Sequence, residues 1–263
     1  MIARACAIHR VERVVVYRDE DTDFFRKHAS LIEKVLKYLN TPPYLRKRII
    51  PIDKDLKYVG MLKPLALPIH PKKDDAVINT VRVGLIEQIN DSITKAFIGL
   101  RKRCVIKGAH EIAPGALVLL KVLEEKNDHY VCALLDQPDV YTGFTVASYD
   151  NVVDALRNEC RDLILIEFTK HGEDPLKLRS FLKEKTAIGL TGICALFGSP
   201  DKDFNEIIKY VYRTSLEAIV EPHNLVRVNA VPYQGVRSIR TIEALYIALT
   251  LLNSVLYELG VCT

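Results

Sequence analysis

The stretch Asn229-Ala-Val-Pro-Tyr-Gln-Gly-Val-Arg-Ser-Ile-Arg-Thr-Ile-Glu-Ala-Leu245 joins a polar loop to a long apolar helix. Six apolar residues follow the loop at spacings of 3, 4, 3, 4 and 3, which keeps one wall of a helix apolar over about five turns. They are Ile242, Leu245, Leu249, Leu252, Leu256 and Leu259. We predict that Thr241 caps this helix, that Glu243 lies near the positive end of its dipole, and that Gly260 ends it.

Polar side chains gather where this loop meets the helix. Asn229, Gln234, Arg237 and Arg240 all lie within it or at its end. A helix N-terminus presents backbone N–H groups that have no partner inside the helix, and such a place suits a polar or anionic ligand. The sequence therefore predicts a ligand site here.

The composition is that of a globular chain with a sizeable core. Of 263 residues, 49% are apolar and 27% are charged, which excludes a disordered protein and fits one large domain or two smaller ones. The net charge of +4 permits a local surface for nucleic acid without demanding one. Residues 244–256 are the most apolar run, but they are too short to span a bilayer. We expect a cytoplasmic protein without a signal peptide or a membrane span.

The six cysteines are far apart in the sequence. No Cys-x-x-Cys or Cys/His spacing suggests a zinc site, so we expect no metal. We interpret the cysteines as small buried side chains of a protein in a reducing compartment.

Helices and strands alternate on both sides of a segment of short strands. Residues 1–40 have the pattern helix, strand, helix, and the same rhythm returns from residue 149, which predicts an α/β fold with a parallel sheet. Strands predicted at 162–168, 190–197 and 225–229 each end in a polar loop that carries glycine. Ligands collect at the carboxyl ends of parallel strands.

Between residues 77 and 146 the pattern predicts five short strands, at 80–89, 93–98, 102–107, 116–123 and 129–136. Five such strands suit a small barrel of the OB type. Prolines near residue 71 indicate a linker. We therefore place a barrel at 72–146, inserted into an α/β domain formed by 1–71 and 147–263.

Two basic segments are candidates for RNA contact. A row of cations can track phosphates, but it can also be a solvated edge that discourages sheet pairing, and the sequence leaves both interpretations open. The candidates are Arg46, Lys47, Arg48, Arg101, Lys102 and Arg103.

Several motifs occur in order along the chain: Tyr44-Leu-Arg-Lys, Leu196-Phe-Gly-Ser-Pro and Asn229-x-x-Pro-x-Gln-Gly-x-Arg-x-Ile-Arg-Thr-x-Glu-Ala. With them the chain resembles the SPOUT RNA methyltransferases, in the subfamily of archaeal proteins and eukaryotic uridine-N3 methyltransferases that carry an OB-like insertion. The resemblance implies a parallel sheet whose C-terminal part forms a trefoil knot. It also implies S-adenosylmethionine (SAM) as the cofactor, RNA as the substrate, and a homodimer packed through the knot helices.

The resemblance further implies three cofactor loops, in which backbone groups hold the ligand and glycine leaves room for close approach. Their residues are Thr169, Gly172, Leu196, Phe197, Gly198, Asn229, Val231, Gln234 and Gly235.

Arg240 and Arg237 are the candidates for catalysis. Methylation at N3 of a uridine requires that a proton leave, and a cation could stabilise the anion that develops or bind a phosphate. The alternative for each arginine is a salt bridge with Glu243 or with a carboxylate near the C-terminus. His70 and His171 are interpreted as structural or solvated histidines.

Two hypotheses of different classes follow. The first is a SAM-dependent RNA methyltransferase that modifies uridine N3 in ribosomal or other structured RNA, with the target base unpaired or flipped out. The second is a non-catalytic RNA-binding protein that keeps the knotted fold. It rests on Tyr233, which occupies a position where the resembling proteins carry glycine and could narrow the cofactor pocket, and on the lack of a strand that those proteins carry ahead of the first helix.

Overall fold

The computed structural model describes residues 1–18, 20, 22–71, 77–90, 93–106, 112–189, 192–199 and 201–261. The chain divides into two compact units, Met1–Glu33 with Val146–Thr263, and Lys34–Thr145. The assignment of functional domains to 1–71 with 147–263 and to 72–146 stays a prediction.

Seven helices and ten strands make up the described chain. The helices are α1 (Ile2–Ile8), α2 (Asp23–Asn40), α3 (Pro43–Ile49), α4 (Val152–Glu159), α5 (Pro175–Ala187), α6 (Phe204–Glu206) and α7 (Thr241–Glu258). The strands are β1 (Arg13–Tyr17), β2 (Val81–Asn90), β3 (Ile93–Phe97), β4 (Arg103–Ile106), β5 (Leu117–Glu125), β6 (His129–Leu134), β7 (Thr145–Tyr149), β8 (Ile164–Glu173), β9 (Ile193–Leu196) and β10 (Leu225–Val228).

A parallel sheet in the order β10-β8-β9 forms the centre of the first unit, as the α/β pattern predicts. Successive residues of β8 face opposite sides of this sheet. Ile164 and Ile166 pack with apolar residues of α5 and α7, whereas Leu165 packs with residues of α4 and of the segment 204–216. Because both faces are covered, the first part of β8, Ile164 to Ile166, is apolar at every position, as in a buried strand. A separate pair, β1 with β7, belongs to the same unit.

Strand β8 is longer than the sequence predicts. The first predicted cofactor loop, Thr169–Gly172, lies inside this strand, so its assignment as a loop is wrong. The pairing with β10 explains the difference: Arg227 lies opposite Glu167, but the next residue, Val228, lies opposite Glu173. The residues of β8 between these two partners form an irregular bulge that a local pattern cannot reveal.

Helix α7 carries the apolar face predicted for it, with Leu249 and Leu252 buried. The helix begins at Thr241, so Arg240 occupies the cap position and the prediction of Thr241 as cap is wrong. Glu243 lies in the first turn and accepts a hydrogen bond from the Arg240 N–H at 2.9 Å. Gly260 has a φ of +69°, the left-handed conformation in which helices commonly end.

A closed five-stranded barrel forms the centre of the second unit, in the order β2-β3-β4-β6-β5. The pair β4–β6 is parallel and the other four pairs are antiparallel. Ile86, Ala96, Ile98 and Leu120 fill its interior. The five predicted barrel strands are confirmed over the described residues, while residue 107 of the predicted strand 102–107 lies outside them. Turn signals between the strands mark their ends.

Helix α3 was not predicted, and it braces the barrel. Pro43 stands at its first position, where a missing N–H costs nothing. The Tyr44 hydroxyl donates to the Val83 carbonyl at 2.9 Å and accepts from the Val83 N–H at 3.1 Å. Burial raises the pKa of Tyr44 to about 12, so this hydroxyl stays protonated and keeps its donor role.

Four cysteines form disulfides, so the expectation that all six stay unpaired is wrong. Cys104 and Cys132 join the neighbouring strands β4 and β6, with Cα atoms 5.9 Å apart. Cys160 and Cys194 join the end of α4 to β9, with Cα atoms 6.1 Å apart. The partners are 28 and 34 residues apart in the sequence, so only the strand order brings them together.

Across the described residues, no helix is both long enough and apolar enough to cross a bilayer.

Candidate functional site

A cleft lies at the carboxyl ends of the three parallel strands of the first unit, with an empty volume of about 860 Å³ that includes open solvent. Its wall comes from the bulge of β8, the turn after β9, the loop after β10 (residues 229–240, the third loop) and the start of α7. The lining residues are Phe168, Thr169, Lys170, Phe197, Gly198, Ser199, Asp201, Lys202, Asp203, Glu206, Asn229, Ala230, Val231, Gln234, Ser238, Ile239, Thr241, Ala244, Ile247 and Ala248.

Two glycines allow main chains to approach closely at this cleft. A Cβ on Gly198 would lie 2.3 Å from the Lys202 carbonyl oxygen and 2.8 Å from the Phe204 nitrogen. A Cβ on Gly172 would lie 2.4 Å from the backbone of Val228. Real side chains do not tolerate such distances, so both positions require glycine. Gly235 differs, because a Cβ there would meet nothing within 4 Å.

Side-chain amides fasten the third loop. Asn229 donates from Nδ2 to the Lys170 carbonyl at 3.1 Å and accepts the Val231 N–H on Oδ1 at 3.0 Å. It therefore ties the loop to the bulge of β8. Gln234 donates from Nε2 to the Val236 carbonyl at 2.9 Å, which holds the second half of the loop.

Asp203 is the carboxylate most closely connected to the bulge of β8. Its Oδ2 accepts the Thr169 hydroxyl at 2.8 Å, and the Nε2 of His171 lies 3.7 Å from the same oxygen. His171 is mostly exposed, whereas Asp203 is only partly exposed. Asp201 and Glu206 add two further acidic groups to the wall, and Lys170 adds a cation. The cleft can therefore bind a ligand that carries charges of both signs.

Two aromatic rings form a flat part of the wall. Phe168 and Phe197 are stacked, with ring centroids 5.6 Å apart and planes inclined by 21°. Such a surface suits a planar ring of the ligand.

A buried ion pair lies next to the cleft. Glu167 is 0% exposed and accepts from the Nε of Arg227 at 2.8 Å and from the Asn205 N–H at 2.9 Å. Arg227 also donates from Nη2 to Glu217 at 2.6 Å. Burial raises the pKa of Glu167 above its usual value, and the contacts with Asn205 and Arg227 oppose that shift. This network fixes β10 to β8 where their register changes.

Six of the nine predicted cofactor residues line the cleft, and three lie outside its wall. The six are Thr169, Phe197, Gly198, Asn229, Val231 and Gln234. Of the other three, Leu196 is buried behind the wall, Gly172 contacts β10, and Gly235 lies in the third loop beyond Gln234. Their roles in binding stay predictions.

Arg237 and Arg240 are exposed residues of the third loop and are not part of the wall. In the described part of the chain, neither guanidinium has a recorded salt bridge, so the predicted alternative of an ion pair with Glu243 is not realised. Tyr233 also lies outside the wall, and its 103% exposed fraction shows that the ring does not narrow the cleft.

Internal contacts engage four of the six residues predicted to bind RNA. Arg48 pairs with Glu87 at 2.6 Å, and Arg103 contacts the same carboxylate. Lys102 pairs with Glu125 at 2.6 Å, and Arg46 lies 4.4 Å from the centre of the Tyr38 ring. The remaining two, Lys47 and Arg101, are exposed.

One of the two histidines, His70, has the structural role interpreted for it. His70 is buried in the second unit, with Nε2 3.0 Å from the Asn40 carbonyl. Burial lowers the pKa of His70 to about 4, so its ring is neutral near pH 7 and Nε2 donates.

Sequence reasoning missed the acidic part of the wall. Asp201, Asp203 and Glu206 follow the motif Leu196-Phe-Gly-Ser-Pro within a few positions. The signal that could have found them is this cluster of acids directly after a glycine turn at a strand end. Over the residues that the structure describes, no group of three or more His, Cys, Asp or Glu side chains could hold a metal ion.

Several known proteins are similar in sequence to this chain. A family model described as "Putative RNA methyltransferase" matches residues 1–252. A 28S rRNA (uridine-N(3))-methyltransferase of Homo sapiens is 29% identical over 292 residues, which covers 98% of this chain and 73% of the relative. Its counterpart in Mus musculus is 30% identical over 292 residues, with 98% and 71% covered. An uncharacterized protein of Halobacterium salinarum is 28% identical over 255 residues, with 92% and 86% covered.

The family match extends over nearly the whole chain and includes both units. It also includes the bulge of β8, the turn after β9 and the third loop, which together line the cleft. This chain therefore belongs to that family of RNA methyltransferases.

Proposed function

We propose that this protein transfers a methyl group from SAM to N3 of a uridine in ribosomal or other structured RNA. The observation that carries the proposal is the cleft at the carboxyl ends of β8, β9 and β10, whose turn after β9 is held close to its own backbone at Gly198. The names of the human and mouse relatives supply the uridine and its N3 atom. The proposal includes a SPOUT-type trefoil knot in the first unit, a homodimer packed through the helices of the knot, and a cytoplasmic location.

The residues of the cleft fit SAM. When bound, SAM supplies a methyl group on a positively charged sulfur. The stacked rings of Phe168 and Phe197 offer a flat apolar surface for adenine. The carboxylates of Asp201, Asp203 and Glu206 complement the positive charges of the cofactor, and Lys170 complements its carboxylate.

A side chain of this protein must also accept the proton that uridine N3 loses. Asp203 lines the cleft and is held by the Thr169 hydroxyl at 2.8 Å, and we assign its carboxylate to this role. We assign Arg240, with Arg237, to the stabilisation of negative charge on the uracil ring or of a nearby phosphate. Their position in the third loop, next to the start of α7, supports this role.

The barrel is proposed as the part that holds RNA. We infer that the closed five-stranded barrel is of the OB type, a fold that binds single-stranded nucleic acid, and the order β2-β3-β4-β6-β5 supports this assignment. Lys47 and Arg101 are the two candidate cations without recorded internal contacts among the described residues, and we assign the phosphate contacts first to them. Contact with phosphates would make RNA binding weaken with rising salt.

Replacement of Asn229 by alanine is expected to weaken SAM binding about tenfold. The change removes the hydrogen bond from Asn229 to the Lys170 carbonyl of β8 and the bond from the Val231 N–H within the loop, and each such bond contributes about 1 kcal/mol. Isothermal titration with SAM measures the effect. The Asn229→Asp variant keeps the acceptor for Val231 and loses only the donor, so it should show an intermediate loss. Equal affinity in all three proteins would mean that the loop is not part of the cofactor site.

Two measurements test the function itself. Titration with SAM should give heat and should raise the unfolding temperature. Incubation with unmodified ribosomal RNA and methyl-labelled SAM, followed by mass spectrometry of nucleosides, should then yield 3-methyluridine. An absence of both heat and stabilisation at millimolar SAM would favour the non-catalytic RNA-binding alternative. A different methylated nucleoside would keep the enzyme and refute the N3 assignment.

A further inference from the structure

Tyr233 lies in the third loop and combines a fully exposed side chain with a left-handed backbone conformation. Its side chain has an exposed fraction of 103%, and its φ is +58°. The ring lies outside the wall of the cleft, although Gln234, the next residue, lines it.

Both properties cost free energy. A left-handed φ is unfavourable for a bulky residue, and glycine at this position would remove that cost. A fully exposed aromatic ring also leaves its apolar surface in water. In the described part of the chain, no hydrogen bond, salt bridge or ring contact of the Tyr233 side chain is recorded to offset these costs. Strain of this kind clusters at functional sites.

The neighbours of Tyr233 indicate what the ring could bind. Val236 is 61% exposed, and Arg237 and Arg240 are exposed cations of the same loop. An exposed aromatic ring beside unpaired arginines is the combination that binds single-stranded nucleic acid, since the ring stacks on a base and the cations meet the phosphates.

The loop backbone is fastened on both sides of Tyr233. Asn229 fastens the loop before Tyr233, and Gln234 fastens it after Tyr233. Gln234, the next residue, lines the cleft, so the chain places Tyr233 one residue from the wall of the site that the nucleotide must reach.

We propose that the Tyr233 ring stacks on an unpaired nucleobase of the RNA, adjacent to the nucleotide presented to the cleft. The inference rests on the proposed function in taking RNA as the substrate. It adds a specific contact, and it predicts that Tyr233 acts on RNA binding and not on SAM binding.

The test compares Tyr233→Gly, Tyr233→Phe and wild-type protein. The probe is a fluorescein-labelled oligouridylate of about 12 nucleotides, a length within the usual site size, read by anisotropy. A second probe carries one 2-aminopurine beside a central uridine, and its fluorescence falls when the base stacks. Tyr233→Gly is expected to bind the first probe about tenfold more weakly and to lose the quenching, whereas Tyr233→Phe retains both.

Three controls make the result interpretable. Tyr257→Ala removes another exposed tyrosine, 77% exposed at the end of α7, and should bind RNA like wild type. Calorimetry should give the same SAM affinity for Tyr233→Gly and wild type. The glycine variant should also unfold at the same or a higher temperature, because it relieves the left-handed backbone.

The outcomes separate this inference from the proposed function. If wild type methylates RNA and Tyr233→Gly binds both probes equally well, the stacking contact is refuted and the function stands. If wild type neither binds nor methylates RNA, both fail. A change of oligomeric state in Tyr233→Gly, seen by sedimentation, would refute the inference in favour of a second copy of this chain covering the ring.

Discussion

Replacement of Arg227 by methionine is expected to lower the free energy of unfolding by about 3–5 kcal/mol near pH 8, as is typical when one member of a buried ion pair is removed. Glu167 is 0% exposed, and of its recorded partners in the described part of the chain it would keep only the Asn205 N–H. The ionised carboxylate would then be buried without a cation. Urea unfolding measures the loss.

The pH dependence of the unfolding free energy shows whether the charge on Glu167 causes the loss. Burial already raises the pKa of Glu167 in the folded protein, and removal of the guanidinium raises it further. A carboxyl group whose pKa is higher in the folded state binds its proton more tightly there, so it destabilises the fold as pH rises through that pKa. The loss of unfolding free energy in Arg227→Met, relative to wild type, should therefore be smaller at about pH 5 than at pH 8.

Two further variants provide the comparison. The double variant Arg227→Met with Glu167→Gln should recover much of the loss, because a neutral amide needs no cation. Arg179→Met removes a 3.1 Å pair with Glu258 whose side chains are 62% and 54% exposed, and it should cost less than about 1 kcal/mol. A double variant no more stable than Arg227→Met would contradict the explanation.

Replacement of Gly198 by alanine is expected to reduce SAM binding by more than about tenfold and to lower the free energy of unfolding by about 1–3 kcal/mol, the usual range for overpacking. The new Cβ would lie 2.3 Å from the Lys202 carbonyl oxygen, 2.8 Å from the Phe204 nitrogen and 2.9 Å from the Asp203 carbonyl carbon. These are backbone atoms, so the turn must move. Asp203 lines the cleft and would move with it.

Gly60→Ala is the matched control for Gly198→Ala. A Cβ at Gly60 meets nothing within 4 Å, and its φ lies outside the left-handed region. We expect it to bind SAM and to unfold like wild type in calorimetry and urea titration. Similar SAM affinity in the two alanine variants would show that the turn after β9 does not shape the cofactor site.

The barrel and the parallel sheet could be predicted because their signals are local. Turn residues separate the barrel strands, and short runs rich in Val, Ile and Leu mark the start of β8 and most of β10. The bulge in β8 could not be predicted, since it arises where Val228 pairs with Glu173 and not with the residue after Glu167. That register depends on a strand far along the chain.

The candidate site was predicted in outline from loops that end strands. Its acidic wall was missed because Asp203 acquires its place through contact with Thr169, a residue in another strand. The disulfides were missed for a related reason: Cys104 and Cys132 become neighbours only once β4 and β6 pair. Helix α3 lacked a signal because it is only seven residues long, too short for its apolar residues Leu45 and Ile49 to show a helical period.

The distance along the chain between paired strands has a consequence for folding during translation. It differs between the barrel strands and the strands β1, β7, β8 and β10. Every barrel strand lies between Val81 and Leu134, so the barrel has all its strands once that segment has left the ribosome. In contrast, β1 must wait for β7, and β8 must wait for β10 near the end of the chain. We expect the barrel to fold during translation while the N-terminal helix and strand remain open to chaperones. The cleft can form only after release of most of the chain.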